Sequence, residues 1–276
     1  MTRTVKLEDI TWREGRELDE RLDGQVAVVT GAGRGFGRAI VVLLAKRGAD
    51  IACCDVLDSI DETVAEAKLA APERKIVGAR VDVSDEGAVK SFVARVEWEL
   101  GPVGILVNNA GGTLGIKRMP IDEVSTEDWR RIYEVNLFGA FYFTRAVAAG
   151  MKERRQGKIV NISSGAGRMH SRTGVQAYAS AKAGLIGFTR QIAAELGPHN
   201  INVNSVAPGL VLSTDEYRGQ WVDRNDKQRS DTIESIALRR LGTVEDIAET
   251  VAFLVSERSR YISGQTIGVD GGHWMS

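Results

Sequence analysis

The chain has 276 residues, of which 43% are hydrophobic and 26% are charged, and the charges nearly cancel to a net charge of −1. This balance offers no strong field to nucleic acid or an anionic membrane, and no apolar run approaches the about 20 residues that span a bilayer. The first residues lack the apolar core of a signal peptide, and the adjacent Cys53 and Cys54 would point to opposite faces of a strand. We therefore expect a cytoplasmic chain without disulfides that binds neither nucleic acid nor a membrane, and three scattered histidines predict no metal site.

Residues 1–23 are mostly polar and predict an N-terminal arm, whereas residues 24–276 predict a single domain. Within that domain, short apolar runs rich in β-branched residues alternate with amphipathic segments, which is the pattern of repeated strand–helix–strand units. The apolar runs predict seven strands, over residues 25–30, 50–55, 75–82, 103–108, 157–163, 200–206 and 265–269. The amphipathic segments predict helices over residues 38–47, 86–100, 126–151, 176–196 and 244–256.

Most of the seven runs are apolar at successive positions, which indicates strands that are covered on both faces. The sequence thus predicts an α/β fold with a Rossmann-like, doubly wound sheet of seven parallel strands flanked by helices, in three layers (α/β/α). Residues 213–240 interrupt the alternation with a polar stretch that contains aromatic residues. Ligands bind beyond the carboxyl ends of the strands in such folds, so this insertion after the sixth strand predicts a substrate lid.

A glycine-rich turn follows the first strand and reads Gly31-Ala-Gly-Arg34-Gly35-Phe36-Gly37. It departs from the G-x-G-x-x-G fingerprint because Phe36 takes the sixth place, yet its glycines still allow a tight turn and a close backbone approach. The helix that begins near Gly35 would point its N–H groups at a pyrophosphate. Plain turns are also rich in glycine, so the motif by itself leaves both interpretations open.

Asp55 ends the second strand, near the spacing of about 20 residues at which an acid binds the ribose 2′-hydroxyl of a dinucleotide. Its charge would repel the 2′-phosphate of NADP, and the neighbouring Val56 adds no positive charge, so the sequence favours NAD. Arg34 argues in the other direction, because a basic residue in the glycine turn suits a 2′-phosphate. A simple loop cap is the alternative role of Asp55.

Two further strand ends predict cofactor contacts. Asp82 and Val83 close the third strand and are candidates to bracket the adenine ring. The segment Asn109-Ala110-Gly111 follows the fourth strand, where small residues let the chain pass close to a cofactor and asparagine amides tie strand ends together. A plain turn is the competing interpretation of this segment.

Tyr178 and Lys182 lie four positions apart and share one face of a predicted helix. An ammonium near a phenol lowers the phenol's pKa from about 10, which makes Tyr178 a candidate general acid and base. Ser164, at the end of the fifth strand, is a candidate donor to a carbonyl oxygen, although serines there are commonly turn residues. Asn136 is costly inside a helix, and either a buried amide that holds a water near Lys182 or a helix kink would explain it.

With these motifs in this order, the chain closely resembles the classical short-chain dehydrogenase/reductase family over about residues 22–272. The resemblance implies a catalytic tetrad in which Ser164 holds the substrate oxygen and Tyr178 passes the proton. Lys182 would lower the pKa of Tyr178 and contact the nicotinamide ribose, and Asn136 would support a proton-relay water. Tyr178 and Lys182 are therefore expected to border the cofactor as well.

The resemblance has further implications for the segment after the sixth strand and for assembly. Pro208 and Gly209 match the family pattern, the backbone of Val211 matches the position that meets the carboxamide, and Ser213 stands where the family usually has threonine. A homotetramer is implied, with contacts through the helices over 126–151 and 176–197 and the C-terminal strand. We expect Trp274 to pack at a subunit contact.

The spacing between the candidate serine and tyrosine is one residue longer than is usual in the family, which bears on the substrate pocket. Ser163 is the alternative serine, but it lies farther from Tyr178 in the sequence than Ser164 does. His170 in the intervening loop is a candidate contact for a polar substrate group, and an exposed loop histidine is the alternative.

The sequence therefore predicts an NAD(H)-dependent oxidoreductase that interconverts a secondary alcohol and its ketone by hydride transfer. One alternative is an NADP(H)-dependent 3-oxoacyl-type reductase of the same family. Another is a non-catalytic NAD-binding regulatory protein, which the presence of all the candidate catalytic residues disfavours. Dehydratases and epimerases that share the Tyr–Lys pair resemble a longer chain with a separate substrate domain.

Overall fold

The computed structural model describes residues 19–171 and 173–274 and is built around one parallel sheet. The strand order is β3-β2-β1-β4-β5-β6-β7, and every pairing between neighbours is parallel. The strands are β1 (Val26–Thr30), β2 (Asp50–Asp55), β3 (Ile76–Arg80), β4 (Val103–Asn108), β5 (Gly157–Ile162), β6 (Ile201–Pro208) and β7 (Thr266–Val269). The predicted fold class is confirmed, and every strand boundary lies within about two residues of its predicted position. Most of the predicted arm, residues 1–18, lies outside the described residues.

Helices enclose this sheet on both faces and also form the segment predicted as a lid. They are α1 (Gly35–Lys46), α2 (Ile60–Ala70), α3 (Glu86–Glu99), α4 (Thr126–Tyr133), α5 (Gly139–Arg154), α6 (Gln176–Leu196), α7 (Asp215–Val222), α8 (Asp226–Glu234) and α9 (Val244–Val255). Apolar residues of α1, α2 and α9 pack on one face of the sheet, and those of α3, α5 and α6 pack on the other. The three layers follow from these two separate cores.

The alternation of side chains along β1 explains why its sequence is apolar throughout. Ala27 and Val29 belong to the core beneath α1 and α9, whereas Val26 and Val28 belong to the core beneath α3 and α5. Successive residues of a strand face opposite sides, so a strand that is covered twice needs an apolar residue at each position.

Three helical features differ from the sequence prediction. Helix α2 was not predicted, because its buried positions are only Ile60, Thr63 and Ala67 and give a weak apolar stripe. The helix predicted over residues 126–151 is divided by a π-helical turn over Glu134–Phe138. The lid contains α7 and α8, whose polar sequences bury only Thr232 and therefore carry little helical periodicity.

The position of β1 between β2 and β4 marks where the chain changes direction across the sheet. Crossovers on the two sides of this point leave a crevice at the carboxyl ends of β1 and β4, which is where ligands bind in doubly wound sheets. The glycine turn follows β1 and the segment from Asn109 follows β4, so both lie at this crevice.

Candidate active site

The glycine turn after β1 packs directly against the segment after β4. Gly31 has a φ of 63° and Gly35 a φ of 57°, a left-handed conformation that glycine adopts without strain. A Cβ at Gly37 would lie 2.2 Å from the carbonyl oxygen of Gly31. The Asn109 amide donates to the carbonyl oxygens of Thr30 (2.9 Å) and Gly31 (2.8 Å). The amide therefore ties the two strand ends together, as the sequence predicted.

Asp55 faces the glycine turn from the end of β2 and is 9% exposed. Its Oδ2 accepts a hydrogen bond from the Gly33 backbone N–H at 2.8 Å, and its Oδ1 accepts one from the Leu57 N–H at 3.0 Å. The loop-capping role is thus real. Each carboxylate oxygen has a second lone pair, so the same side chain can still accept hydrogen bonds from ribose hydroxyls.

Arg38 braces the glycine turn and was missed in the sequence. Its guanidinium donates to the carbonyl oxygen of Gly33 at 2.7 Å, to Thr63 Oγ1 at 3.0 Å and to Glu62 at 2.8 Å. Two of the residues that Arg38 contacts, Thr63 and Glu62, lie on α2, which the sequence analysis did not predict. Arg38 therefore fixes the turn against α2.

The residues at this end of the sheet fit a dinucleotide. Helix α1 begins at Gly35 without a side-chain cap and without an acidic residue in its first turn, so its N–H groups and positive dipole end remain available to a phosphate. Asp55 stands beside the same turn as an acceptor for ribose hydroxyls. An uncapped glycine-lined helix start and a neighbouring carboxylate together suit pyrophosphate and ribose.

The remaining predicted cofactor residues differ in their exposure. Arg34 is exposed, and Val56 is 51% exposed beside Asp55. Asp82 is exposed, and its carboxylate accepts from Ser84, whereas Val83 is buried and would touch a Cβ at Gly139. Val83 therefore closes the edge of the crevice towards α5, and contact of any of these residues with adenine stays a prediction.

Lys182 is the most deeply buried cation of the site, with 3% of its surface exposed. Its Nζ donates to the carbonyl oxygen of Ile162 at 2.9 Å, and burial lowers its pKa to about 8. The Ser163 hydroxyl donates to the Lys182 carbonyl oxygen at 2.9 Å. Ser163 is therefore occupied in attaching β5 to α6, which favours Ser164 as the serine that faces substrate.

Tyr178 lies on α6 one turn before Lys182, with its phenol near enough to the Ser164 hydroxyl to interact with it. Burial raises its pKa to about 12, the interaction with Ser164 lowers that pKa in part, and the nearby Tyr217 raises it further. The net shift is therefore upward, opposite to the direction expected for a phenol beside an ammonium, and a lowering of this pKa by Lys182 stays a prediction. The physical reason is geometric: Lys182 Nζ lies 5.9 Å from the Tyr178 ring centroid and is directed at Ile162.

Asn136 lies in the π-helical turn and is 1% exposed. Its Oδ1 accepts from the Gly112 N–H and its Nδ2 donates to the Gly112 carbonyl oxygen, both at 2.9 Å. A Cβ at Gly111 would lie 2.6 Å from Asn136 Oδ1 and 2.8 Å from Lys182 Nζ. The two polar atoms thus border one small space. The helix is distorted here, as one of the two sequence explanations requires, and a water held by the Asn136 amide stays a prediction.

The segment after β6 brings the lid to the glycine turn. A Cβ at Gly35 would lie 2.9 Å from the carbonyl oxygen of Ser213. Val211 is buried and pairs with Gly242, and Pro208 pairs with Val269 at the end of β6. Residues 208–213 therefore line the same crevice, and Gly209 lies against Asp270, so a side chain there would collide with the backbone.

Trp274 occupies a place that the sequence did not predict. A Cβ at Gly165 would lie 1.8 Å from Cζ3 of its indole, so the ring rests on the backbone directly after Ser164. The expected subunit contact of Trp274 stays a prediction beside this contact within the chain. The loop histidine His170 is exposed, in agreement with the alternative given for it.

Comparison with known proteins identifies the family to which this chain belongs. The family model described as enoyl-(acyl carrier protein) reductase matches residues 31–273. The 3-oxoacyl-[acyl-carrier-protein] reductase of Vibrio cholerae is 39% identical over 254 residues, which cover 92% of this chain and 99% of that protein. The chain belongs to the short-chain dehydrogenase/reductase family.

Further comparisons of sequence and of structure agree with this family. The 3-oxoacyl-[acyl-carrier-protein] reductase of Thermotoga maritima is 37% identical over 91% of this chain and 98% of its own length. A structure assigned to a short-chain alcohol dehydrogenase of Sinorhizobium meliloti is 36% identical, with a TM-score of 0.84 over 92% of this chain and 98% of that one. Levodione reductase gives a TM-score of 0.84 at 29% identity, over 93% of this chain and 98% of its own.

Family membership makes the chain an oxidoreductase that binds a nicotinamide cofactor. Among the described residues, no helix combines the length and apolarity that a membrane span requires. Within residues 19–171 and 173–274, histidine, cysteine and acidic side chains form no group of three that could hold a metal ion.

Proposed function

We propose that the protein catalyses reversible hydride transfer between a nicotinamide dinucleotide and a ketone, with the secondary alcohol as the reduced product. The observation that carries the proposal is the placement of Tyr178 beside Ser164 and the buried Lys182, at the crevice that the glycine turn and Asp55 border. When bound, the dinucleotide supplies or accepts the hydride. All other steps belong to residues of this chain.

The protonation state of Tyr178 favours the reductive direction. A phenol with a pKa of about 12 carries its proton at neutral pH and is ready to donate it to the oxygen of a ketone that becomes an alkoxide. Ser164 would hold that oxygen by a second hydrogen bond, which is strongest when negative charge develops. Lys182 would stabilise the resulting phenolate, and Asn136 would orient a water that returns a proton.

The substrate class that the relatives favour is a 3-oxoacyl group. Both acyl-carrier-protein reductases named above act on such a group by their names, and a 3-oxoacyl group is itself a ketone. The alcohol dehydrogenase and levodione reductase names describe the same chemistry on other skeletons. We therefore place a 3-oxoacyl thioester first and a cyclic or simple secondary alcohol second.

For the cofactor, the charge of Asp55 favours NAD(H), and NADP(H) is the alternative. Asp55 is buried against the turn that would hold the ribose, where a 2′-phosphate would meet its carboxylate. Arg34 is exposed, and its charge acts on Tyr217 of the lid. Burial raises the pKa of Tyr217, and the positive charge of Arg34 lowers it in part. Arg34 is therefore placed towards the lid, while Asp55 faces the turn itself.

We further propose a cytoplasmic homotetramer. Two aromatic residues of the π-helical turn and α5, Phe138 and Phe141, are 43% and 38% exposed, and Phe141 packs edge-on against Phe188 of α6 at 6.5 Å. Aromatic surface on two adjacent helices is the kind of area that subunit contacts cover. Size-exclusion chromatography with light scattering tests the assembly directly.

The test of the activity is NADH or NADPH consumption with a 3-oxoacyl thioester and with a cyclic ketone, using wild type and Tyr178→Phe. The variant should lower kcat by about 10²–10⁴-fold, since it removes the proton donor, and leave the Kd for NADH nearly unchanged. Tyr261→Phe is the matched control, because Tyr261 is fully exposed. Parallel loss of turnover and NADH binding would contradict the role of Tyr178, and wild type that binds NADH without any turnover would favour the regulatory alternative.

A further inference from the structure

We propose that Trp274 is a positioning residue for Ser164: the C-terminal tail, residues 270–274, clamps the turn that carries the serine and connects it to the lid. This inference rests on the proposed function, because it gives Ser164 a role in holding the substrate oxygen. It extends that function by assigning a task to a segment outside the tetrad.

The turn that carries Ser164 is short, and its hydrogen bonds join residues within 164–169. The Ser164 Oγ accepts from the Ala166 N–H at 3.1 Å and so caps the 3₁₀ turn Gly165–Gly167. The same hydroxyl lies near the Tyr178 phenol and interacts with it. Any rotation of this turn therefore moves Ser164 with respect to Tyr178, so support from outside the turn bears on the position of the serine.

Trp274 supplies that support by direct contact. Three atoms of its six-membered ring, Cε3, Cζ3 and Cη2, lie within 1.8 to 2.6 Å of the place that a Cβ at Gly165 would take. Only glycine at position 165 permits the indole to rest on the backbone next to Ser164. His273 stacks on the indole with ring centroids 4.3 Å apart and planes at 16°, which backs the indole with a second ring.

The tail that presents Trp274 is itself held by hydrogen bonds to Asp270. The Asp270 carboxylate accepts from the Gly272 N–H at 2.9 Å through Oδ1 and from the Trp274 N–H at 3.3 Å through Oδ2. Because Asp270 directly follows β7, the tail is fixed to the edge strand of the sheet. The position of the indole is therefore set by the connection of the tail to β7 and by its hydrogen bonds to Asp270.

The same tail contacts the far end of the lid. The Gly271 carbonyl oxygen accepts from the Leu238 N–H at 3.0 Å, and a Cβ at Gly271 would lie 2.8 Å from the Ile236 side chain. Residues 270–274 thus lie between the end of the lid and the serine turn. A lid that shifts on substrate binding would transmit the shift to Ser164 through this tail.

The test compares Trp274→Ala and Trp274→Phe with Trp98→Ala, a control at an 85% exposed tryptophan of α3. The first readout needs no turnover: hydrogen–deuterium exchange of the peptide amides at residues 164–168. Trp274→Ala should raise exchange at Ala166 by about 10-fold because the capping bond opens more often, whereas Trp274→Phe and Trp98→Ala should not. Unchanged exchange at Ala166 in Trp274→Ala would overturn the proposal.

The second readout is the division of the effect between kcat and KM. Trp274→Ala should lower kcat by about 10-fold with KM and the Kd for NADH within about twofold, and Trp274→Phe should recover most of kcat. A loss that falls on KM alone would instead make Trp274 a wall of the substrate pocket and refute positioning. Wild type that reduces no ketone would contradict the proposed activity. If exchange at Ala166 still rises in Trp274→Ala, the contact between Trp274 and the serine turn is supported independently of that activity.

A double-variant cycle tests the contact itself. Gly165→Ala should open the same turn by displacing the indole, and in the Trp274→Ala background the added methyl group should have little further effect. Additive effects of the two substitutions on exchange at Ala166 would show that the indole–Gly165 contact is not the cause.

Discussion

The buried ammonium of Lys182 should lower the free energy of unfolding at neutral pH, compared with a protein that has no charge at this position. Its pKa falls from 10.5 in the unfolded chain to about 8 in the folded one, because burial disfavours the charged form. This difference corresponds to about 3 kcal/mol of destabilisation when the group is charged in both states. The penalty is complete below about pH 8 and fades as the pH rises towards the unfolded pKa.

Replacement by an apolar side chain of similar length removes this penalty and its pH dependence. Lys182→Met also loses the hydrogen bond to the Ile162 carbonyl oxygen, which costs about 1–3 kcal/mol at every pH. The decisive quantity is therefore the change with pH. Between pH 7 and pH 9.5, wild type should gain about 2 kcal/mol of unfolding free energy relative to Lys182→Met.

The measurement is urea unfolding at several pH values, at one fixed protomer concentration because assembly contributes to apparent stability. Lys68→Met serves as the control, since Lys68 is an exposed lysine of α2. A difference between wild type and Lys182→Met that stays constant from pH 7 to pH 9.5 would refute a desolvated lysine. The expected result means that the lysine is retained for its chemistry at a cost in stability.

Two substitutions at the cofactor end have equally definite outcomes. Asp55→Ala should lower the preference for NADH over NADPH by about 10-fold in kcat/KM, because it removes the charge that a 2′-phosphate would meet, and an unchanged ratio contradicts the assignment. Gly37→Ala should destabilise the fold by about 1–3 kcal/mol and weaken NADH binding, since its Cβ would lie 2.2 Å from the Gly31 carbonyl oxygen. Its control is Gly187→Ala in α6, where no atom lies within 4 Å of the added Cβ; equal melting temperatures of the two variants would argue against the packing of the turn.

The sequence alone determined the sheet and the motifs at its carboxyl edge. The seven strands were predictable because a strand buried on both faces must be apolar at every position, as in β1. The glycine turn was predictable because residues such as Gly31 and Gly35 must adopt positive φ, a requirement that shows in the residue type itself. These are local constraints, and one stretch of chain is enough to express them.

The tertiary structure decided how the site residues act on one another. Only the packing of α6 against β5 aims Lys182 at Ile162 instead of the Tyr178 phenol, and burial then reverses the expected direction of the tyrosine's pKa. The contact of Trp274 with Gly165 joins the segments that follow β7 and β5, and nothing in either local sequence predicts the contact with the other. Desolvation and long-range contacts depend on the complete fold, so residue type and spacing could not reveal them.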